Sequence, residues 1–150
     1  MINSLEYKID KFTFRIPTDR YYTEEGLWIL PEGTHARVGI SDFLQQRSGD
    51  MAFVEVKPVG ETIVVGKELV VIETIKVNIS LTSPISGKVI EVNPMMETSP
   101  EVINQDPYEL GWIVVMEPFN LQSEISHLLD PQAYFTKVKR ESERDIKKDL

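Results

Sequence analysis

The chain has no cysteine among its 150 residues. Disulfides, thiolate metal sites and a cysteine nucleophile are therefore excluded, and any sulfur chemistry has to arrive with a cofactor. Histidine is nearly as scarce: only His35 and His127 are present, and no H-E-x-x-H, phosphate-loop or dinucleotide glycine pattern accompanies them. Both read as structural residues, His35 in a strand and His127 on the polar face of a C-terminal helix. Ser86 stands beside Gly87 without a positioned histidine and acid, so it reads as a turn residue. With no catalytic constellation, a non-enzymatic role is expected. Long apolar runs are missing too, so no membrane span is expected. The opening residues Met1–Asp10 carry acids and no apolar core, unlike a signal or transit peptide, which makes cytoplasmic the expected location. Positive charge is in deficit, with 16 Lys and Arg against 24 Asp and Glu for a net −8. Such a surface repels a phosphate backbone, and no nucleic-acid partner is expected.

What is present is an ordinary globular composition, 41% hydrophobic and 27% charged, with enough chain for one domain with a real core. Its most informative stretch runs from Val70 to Leu81. Val71, Ile75, Val77, Ile79 and Leu81 fall on alternate positions with Glu73, while Val70, Ile72, Thr74, Lys76, Asn78 and Ser80 fill the others. β-branched density at period two argues for strand over helix. Lys76 sits mid-run with no acid beside it. A lone lysine here could simply be a solvated edge charge. However, Gly60, Gly66, Pro84 and Gly87 punctuate both sides, and a second apolar run, Lys88–Val92, follows. Two strand pairs then bracket one lysine at a hairpin tip, a position suited to attaching a group by an amide bond. Matching strand–turn–strand spacing before and after Lys76 suggests a weak internal duplication and two similar packed sheets.

Around this centre, Phe12, Phe14 and Ile16 alternate with Thr13 and Arg15, predicting a short strand, an edge or a loosely held arm. Pro31–Thr34 reads as a turn centred on Glu32-Gly33. His35–Ile40 reads as a strand and Ser41–Asp50 as a short helix, with Ser41 as N-cap, Asp42 at the positive end and Gly49 at the C-terminus. Met51–Val56 is another strand. Met95-Met96 reads as core filling, and Ser99-Pro100 as the capped start of a one-turn helix. Trp112–Met116 should be the last core strand. Asn120 is expected to cap a helix that buries Leu121, Ile125, Leu128 and Leu129, and Asp130-Pro131 to open another with Tyr134, Phe135 and Val138 inward. Past Lys139, Glu141–Arg144 and Glu143–Lys147 are helix-spaced ion pairs worth about 0.2–0.5 kcal/mol each, and the last ten residues are expected to fray into solvent.

Several separate segments together resemble the glycine cleavage system H protein family. Glu73-Thr74-Ile75-Lys76-Val77 resembles its E-S-V-K-A motif, and Ser83–Asn93 follows in kind. Val38–Asp50 resembles V-G-I-T-D-Y-A-x-x-x-L-G-D with Ser48 in place of a leucine, and Asn104–Trp112 resembles N-x-D-P-Y-x-x-G-W. Tyr22, Thr23, Glu25 and Trp28 match Y-T-x-E-H-E-W, whereas Gly26-Leu27 replace its histidine and glutamate, at what the family treats as a surface loop. The resemblance implies a mainly β chain with short helices, a flattened barrel or sandwich of the lipoyl/biotinyl-carrier type with a C-terminal helix. It divides the chain into an N-terminal extension (1–20), a carrier domain (21–136) and a charged helical tail (137–150). It implies lipoate as an amide on Lys76, with Glu73 and Gly87 at the positions read by a lipoate ligase or lipoyl transferase. Biotin is disfavoured, because biotin carriers place methionines where Ile75 and Val77 stand. The implied partners are glycine decarboxylase, aminomethyltransferase and dihydrolipoamide dehydrogenase. The alternatives are a heterodisulfide-reductase-like complex of sulfur oxidation, or a docking scaffold that carries no lipoate.

Overall fold

Short runs of valine and isoleucine broken by glycine, proline and asparagine dictate many brief strands, and the computed structural model, which describes residues 2–149, has eleven of them with five helices. The strands are β1 (Ser4–Ile9), β2 (Phe12–Pro17), β3 (Tyr21–Tyr22), β4 (Leu27–Glu32), β5 (His35–Ile40), β6 (Met51–Val56), β7 (Thr62–Ile63), β8 (Glu68–Thr74), β9 (Asn78–Thr82), β10 (Gly87–Val92) and β11 (Val114–Pro118). The helices are α1 (Asp42–Ser48), α2 (Met95–Thr98), α3 (Val102–Gln105), α4 (Leu121–Ile125) and α5 (Pro131–Asp149). A six-stranded sheet runs β3-β4-β5-β11-β10-β7, a three-stranded sheet β6-β8-β9, and β1 and β2 pair alone. Every pairing is antiparallel.

The two larger sheets face each other across an aliphatic core. Leu27, Ile29, Val38 and Ile40 from one meet Val54, Leu69, Ile72 and Leu81 from the other, all buried. Neither sheet closes on itself, and the architecture is the expected one, mainly β with short helices and a C-terminal helix, its two open sheets packed as a flattened barrel-sandwich. Nor are the sheets alike. The strands before and after Lys76 do not form one sheet each: β9 joins β6 and β8, and β10 joins β7. The spacing likeness read in the sequence therefore does not correspond to two similar sheets.

The N-terminal segment is neither a lone edge strand nor a loose arm. β1 and β2 form a hairpin in register from Ser4↔Pro17 to Ile9↔Phe12, turning at Asp10, whose φ is +53. Phe14 and Ile16 are buried in a second, mostly aromatic cluster with Tyr22, Trp28, Phe43, Tyr108, Tyr134 and Val138. Each polar tip in that cluster is satisfied. Tyr22 donates to Pro17 O (2.6 Å), Tyr108 to Arg15 O (2.6 Å) and Trp28 Nε1 to Pro107 O (3.0 Å), while Tyr134 shares a hydrogen bond with Ser41 (2.7 Å). The Arg20 guanidinium is buried against the rings of Trp28 (4.6 Å) and Tyr108.

Several helix boundaries differ from expectation. α1 is as read, with Ser41 Oγ accepting from Leu44 N and Phe43 and Leu44 inward. Its Asp42 carboxylate does more than favour the dipole, accepting from Arg15 N, Gln45 Nε2 and Gln46 Nε2 and so tying the hairpin down. Ser99 ends α2 instead of capping α3, which begins three residues later, behind Glu101. α4 buries none of its residues, and His127 lies in the exposed turn after it rather than on a helix. Leu129 instead pairs its backbone with Tyr22. α5 is one continuous helix to Asp149. The first turn past Arg140 is held rather than frayed, since Ser142 is buried and Tyr7 donates to Glu143, while Lys147 and Lys148 are exposed and Leu150 lies outside the described residues. The two ion pairs read from helix spacing are replaced by others. Glu141 pairs with Lys137 and Arg47, and Asp145 with Arg47. The turn after β4 sits one residue late, closed by Glu32↔His35 with Gly33 at φ +62.

Candidate functional site

The stretch centred on Lys76 is two strands, not one. β8 and β9 pair through Glu73↔Asn78 and Ile72↔Ile79, leaving Thr74–Val77 as the reversal. Reversal switches which alternate set faces inward. Val70, Ile72 and Thr74 are buried before it, and Leu81 with half-buried Ile79 after it. Ile75, read as part of an apolar face, is 98% exposed, and Val77 is exposed as well.

Thr74 builds the turn. Its backbone N–H donates to Val77 O (2.8 Å), and its hydroxyl oxygen accepts from Lys76 N (3.2 Å) and Val77 N (3.0 Å). The hydroxyl proton goes to Ser48 O (2.8 Å), the nearer of two carbonyls in reach, at the C-terminal end of α1. No glycine is needed, because a side-chain oxygen supplies the bonds that a tight turn leaves open. Ser48, where the family pattern carries a leucine, is buried and thereby anchors the tip through its carbonyl. Lys76 itself is exposed, and Nζ lies 3.3 Å from Arg47 O, again at the α1 terminus, where a cation suits the dipole.

Two concavities meet at this lysine. One, of about 120 Å³, is lined by Lys76, Arg47 and Asp145 together with Phe12, Phe14, Phe43 and Ile146. The other is a more open groove of about 470 Å³ that shares Lys76, Arg47 and Asp145 and continues along Leu44, Val77 and Ile79. Arg47 is the hinge between them. Its guanidinium lies over the Phe43 ring (5.3 Å) and donates to Glu141 (2.8 Å) and Asp145 (3.0 Å). Burial acts against both partners' charged forms, yet the paired hydrogen bonds win: the Arg47 pKa is raised and the Glu141 carboxyl is held below its ordinary 4.5.

Glu73 and Gly87 are not neighbours on one element. Glu73 is exposed on β8, three residues from Lys76 and paired with Asn78. Gly87 is buried at the start of β10 in the other sheet, where a Cβ would come within 2.5 Å of Glu117 O. Close backbone approach, not turn geometry, is the local reason for glycine there. Gly26 closes the turn between β3 and β4 and Leu27 opens β4, yet both are buried rather than on the surface. Gly26 has φ +106, and a Cβ there would come within 2.9 Å of Leu44 Cβ, while Leu27 is fully buried in the aliphatic core. Sequence reasoning missed Arg47 and Asp145 beside Lys76. They lie 29 residues before it and 69 after it, and the only early signal was their charge on two helices. Among the described residues there is no cluster of three metal-ligating side chains, and no helix is long and apolar enough to cross a membrane.

Comparison with known families matches residues 20–141 to the Glycine cleavage H-protein family. The chain is 43% identical over 123 residues to the probable glycine cleavage system H protein of Thermococcus kodakarensis, covering 81% of this chain and 90% of that one. It is 44% identical over 119 residues to the glycine cleavage system H protein of Anaeromyxobacter sp. strain K, covering 79% and 92%. Among solved structures, a glycine cleavage system H protein from Mycobacterium marinum superposes with a TM-score of 0.72 at 34% identity, over 79% of this chain and 95% of that chain.

Proposed function

The chain belongs to the glycine cleavage H-protein family, and from that premise we propose that it is a carrier whose working part is lipoate joined as an amide to Lys76. The observation that carries this reading is an exposed lysine held at the tip of a hairpin by Thr74 and the end of α1. Attachment needs an amine that a ligase can surround, on backbone that does not collapse when surrounded. Ile75 and Val77 point away from the core, so the ligase meets a protruding tip, and the residues present fit the group. Lipoate, once bound, supplies a disulfide on a long tether that can take up a one-carbon fragment with an electron pair.

The chain's own residues have three tasks. Thr74 fixes the pivot. Glu73, exposed on the same hairpin, offers a carboxylate that a ligase can read, and Gly87 keeps β10 close to β11 so that the sandwich beneath the hairpin holds its shape. The proposed cargo is the aminomethyl group of glycine, collected at a glycine decarboxylase, delivered to an aminomethyltransferase, with the arm reoxidised by dihydrolipoamide dehydrogenase. The proposed place of work is the cytoplasm.

The test is the intact mass of the full chain after incubation with a lipoate ligase and lipoate, beside Lys76→Ala. A lipoyl-sized gain in the parent alone supports the reading. No gain, with the ligase active on a control carrier, overturns it and leaves a docking scaffold. Supplying the lipoylated chain to glycine decarboxylase with glycine, or to a heterodisulfide-reductase-like complex, then separates the two partner sets: turnover with the second alone would overturn glycine cleavage.

A further inference from the structure

Helix α5 sorts its charges by side. Its acids are engaged with the body or with the helix itself: Glu141 with Arg47 and Lys137, Asp145 with Arg47, and Glu143 as acceptor of the Tyr7 hydroxyl. Its cations are turned outward. Arg140, Arg144, Lys147 and Lys148 stand at i, i+4, i+7 and i+8, which places them along one face, away from buried Tyr134, Val138 and Ser142. All four are exposed, and among the described residues none of them forms an ion pair. In a chain of net charge −8 this strip is locally of the opposite sign. Arg144, Lys147 and Lys148 also lie beyond residue 141, where the match to the family ends.

The strip ends at the hairpin tip. Lys148 lines the same groove as Lys76, while Glu73 is exposed on the hairpin's own strand. Lys76 therefore has a cationic helix end beside it and a carboxylate on β8. We infer that the outward face of α5 is a docking surface for an acidic strip on the enzyme that attaches lipoate to Lys76. The inference rests on the reading that Lys76 is lipoylated. An enzyme that joins a group to Nζ has to bring its active site to Nζ itself, and so against Lys148. One that works at the far end of an arm can stand off. Opposite charges at two points around one lysine also fix the rotation at which the enzyme lands, since complementary charge sets register and speeds encounter. A phosphate backbone fits less well, because the chain as a whole carries −8 and repels it. So does a membrane: an interfacial helix needs an apolar face free to enter lipid, and that of α5 is packed on the body through Tyr134 and Val138.

The experiment measures kcat/KM for modification of the full chain by a lipoate ligase supplied with lipoate and ATP. The parent is set beside Lys147→Glu/Lys148→Glu and beside Lys67→Glu/Lys88→Glu, which makes the same change in net charge on exposed lysines of β10 and the turn before β8. Reversal on α5 should slow modification about tenfold at low salt, the control should match the parent, and Lys147→Gln/Lys148→Gln should fall between. Raising salt from about 0.01 M to about 1 M, which shortens the Debye length from about 30 Å to about 3 Å, should slow the parent and close its lead over the α5 variant. Affinity gives a second readout without turnover: by calorimetry, Lys76→Ala should bind the ligase about tenfold more tightly than the same chain with both α5 lysines reversed. Equal rates or equal affinities with Lys147 and Lys148 reversed overturn the docking surface. A loss of the same size in the control does so too, since it would report net charge alone. Binding of the parent to phosphatidylserine vesicles or duplex DNA, with ligase kinetics indifferent to the reversals, overturns it in favour of that ligand. A chain that the ligase modifies at no salt concentration overturns the carrier and the docking surface with it, whereas one modified equally fast with both lysines reversed overturns the docking surface alone.

Discussion

The two hydrophobic clusters are made of different material. The one between the large sheets is aliphatic throughout, with no aromatic ring among its buried members. The other, joining the N-terminal hairpin, α1 and α5 to the six-stranded sheet, is mostly rings, and its four polar-tipped rings each end in a hydrogen bond. Aliphatic packing is non-directional and sets the amount of surface removed from water. Rings with polar tips fix direction as well, because each has to reach a particular acceptor. The pair of large sheets rests on the first kind, and the attachment of the N-terminal hairpin, α1 and α5 to them on the second.

That contrast can be broken by substitution. Ile72→Ala, fully buried between the sheets, should cost about 2–5 kcal/mol through the cavity it leaves, read as a lower denaturant midpoint at unchanged slope. Tyr22→Phe keeps the ring and strands Pro17 O, so about 1–3 kcal/mol is expected. A neutral result would mean that the hydroxyls do not hold the aromatic half.

Alkali should separate the halves without mutation. Burial, first among the causes, pushes the Tyr22, Tyr108 and Tyr134 hydroxyls above their ordinary value of 10.0. The fold therefore favours their neutral forms. Their stabilisation is intact below pH 10 and is lost as the pH climbs beyond it. Tyrosinate absorbance should rise together with loss of near-UV dichroism, while the aliphatic core contributes no titrating group. Independent, non-cooperative tyrosine titration would contradict this. The smallest effect belongs to the Arg47 pairs: Arg47→Ala should cost about 0–1 kcal/mol and less in high salt. Glu141, with its pKa lowered, adds stability above its ordinary 4.5 that disappears as the pH falls further, and Glu141→Gln should flatten that acid limb.

The sandwich was legible because period-two runs such as Met51–Val56 and Lys88–Val92 admit no helix, and because several motifs agreed on one family. Lys76 as the candidate attachment point was legible from the same residues. The reversal at Thr74–Val77 was only half legible. No glycine or proline marks it, and a threonine hydroxyl that closes a turn looks, in sequence, like a threonine in a strand. Gly26-Leu27 misled for the opposite reason. The resemblance implied a surface loop, whereas the turn's last residue, Gly26, is buried and its missing Cβ makes room for Leu44. The end of α5 read as a solvated tail because its partners, Arg47 and Tyr7, are about a hundred residues away or more, and helix spacing reports only neighbours within a turn.

On the reading that Lys76 bears the lipoyl arm, the Thr74 turn would also set how that arm explores space. With Lys76 and Val77 amides tied to one hydroxyl and that hydroxyl tied to Ser48, the backbone contributes almost no sweep of its own. All travel then comes from single bonds beyond the Cα, so the reachable volume is a fixed dome centred on one point of the surface. An enzyme exchanging cargo with such an arm would have to bring its own reaction centre under that dome, so the geometry of each handover would be decided by where the enzyme lands, not by how far the hairpin bends.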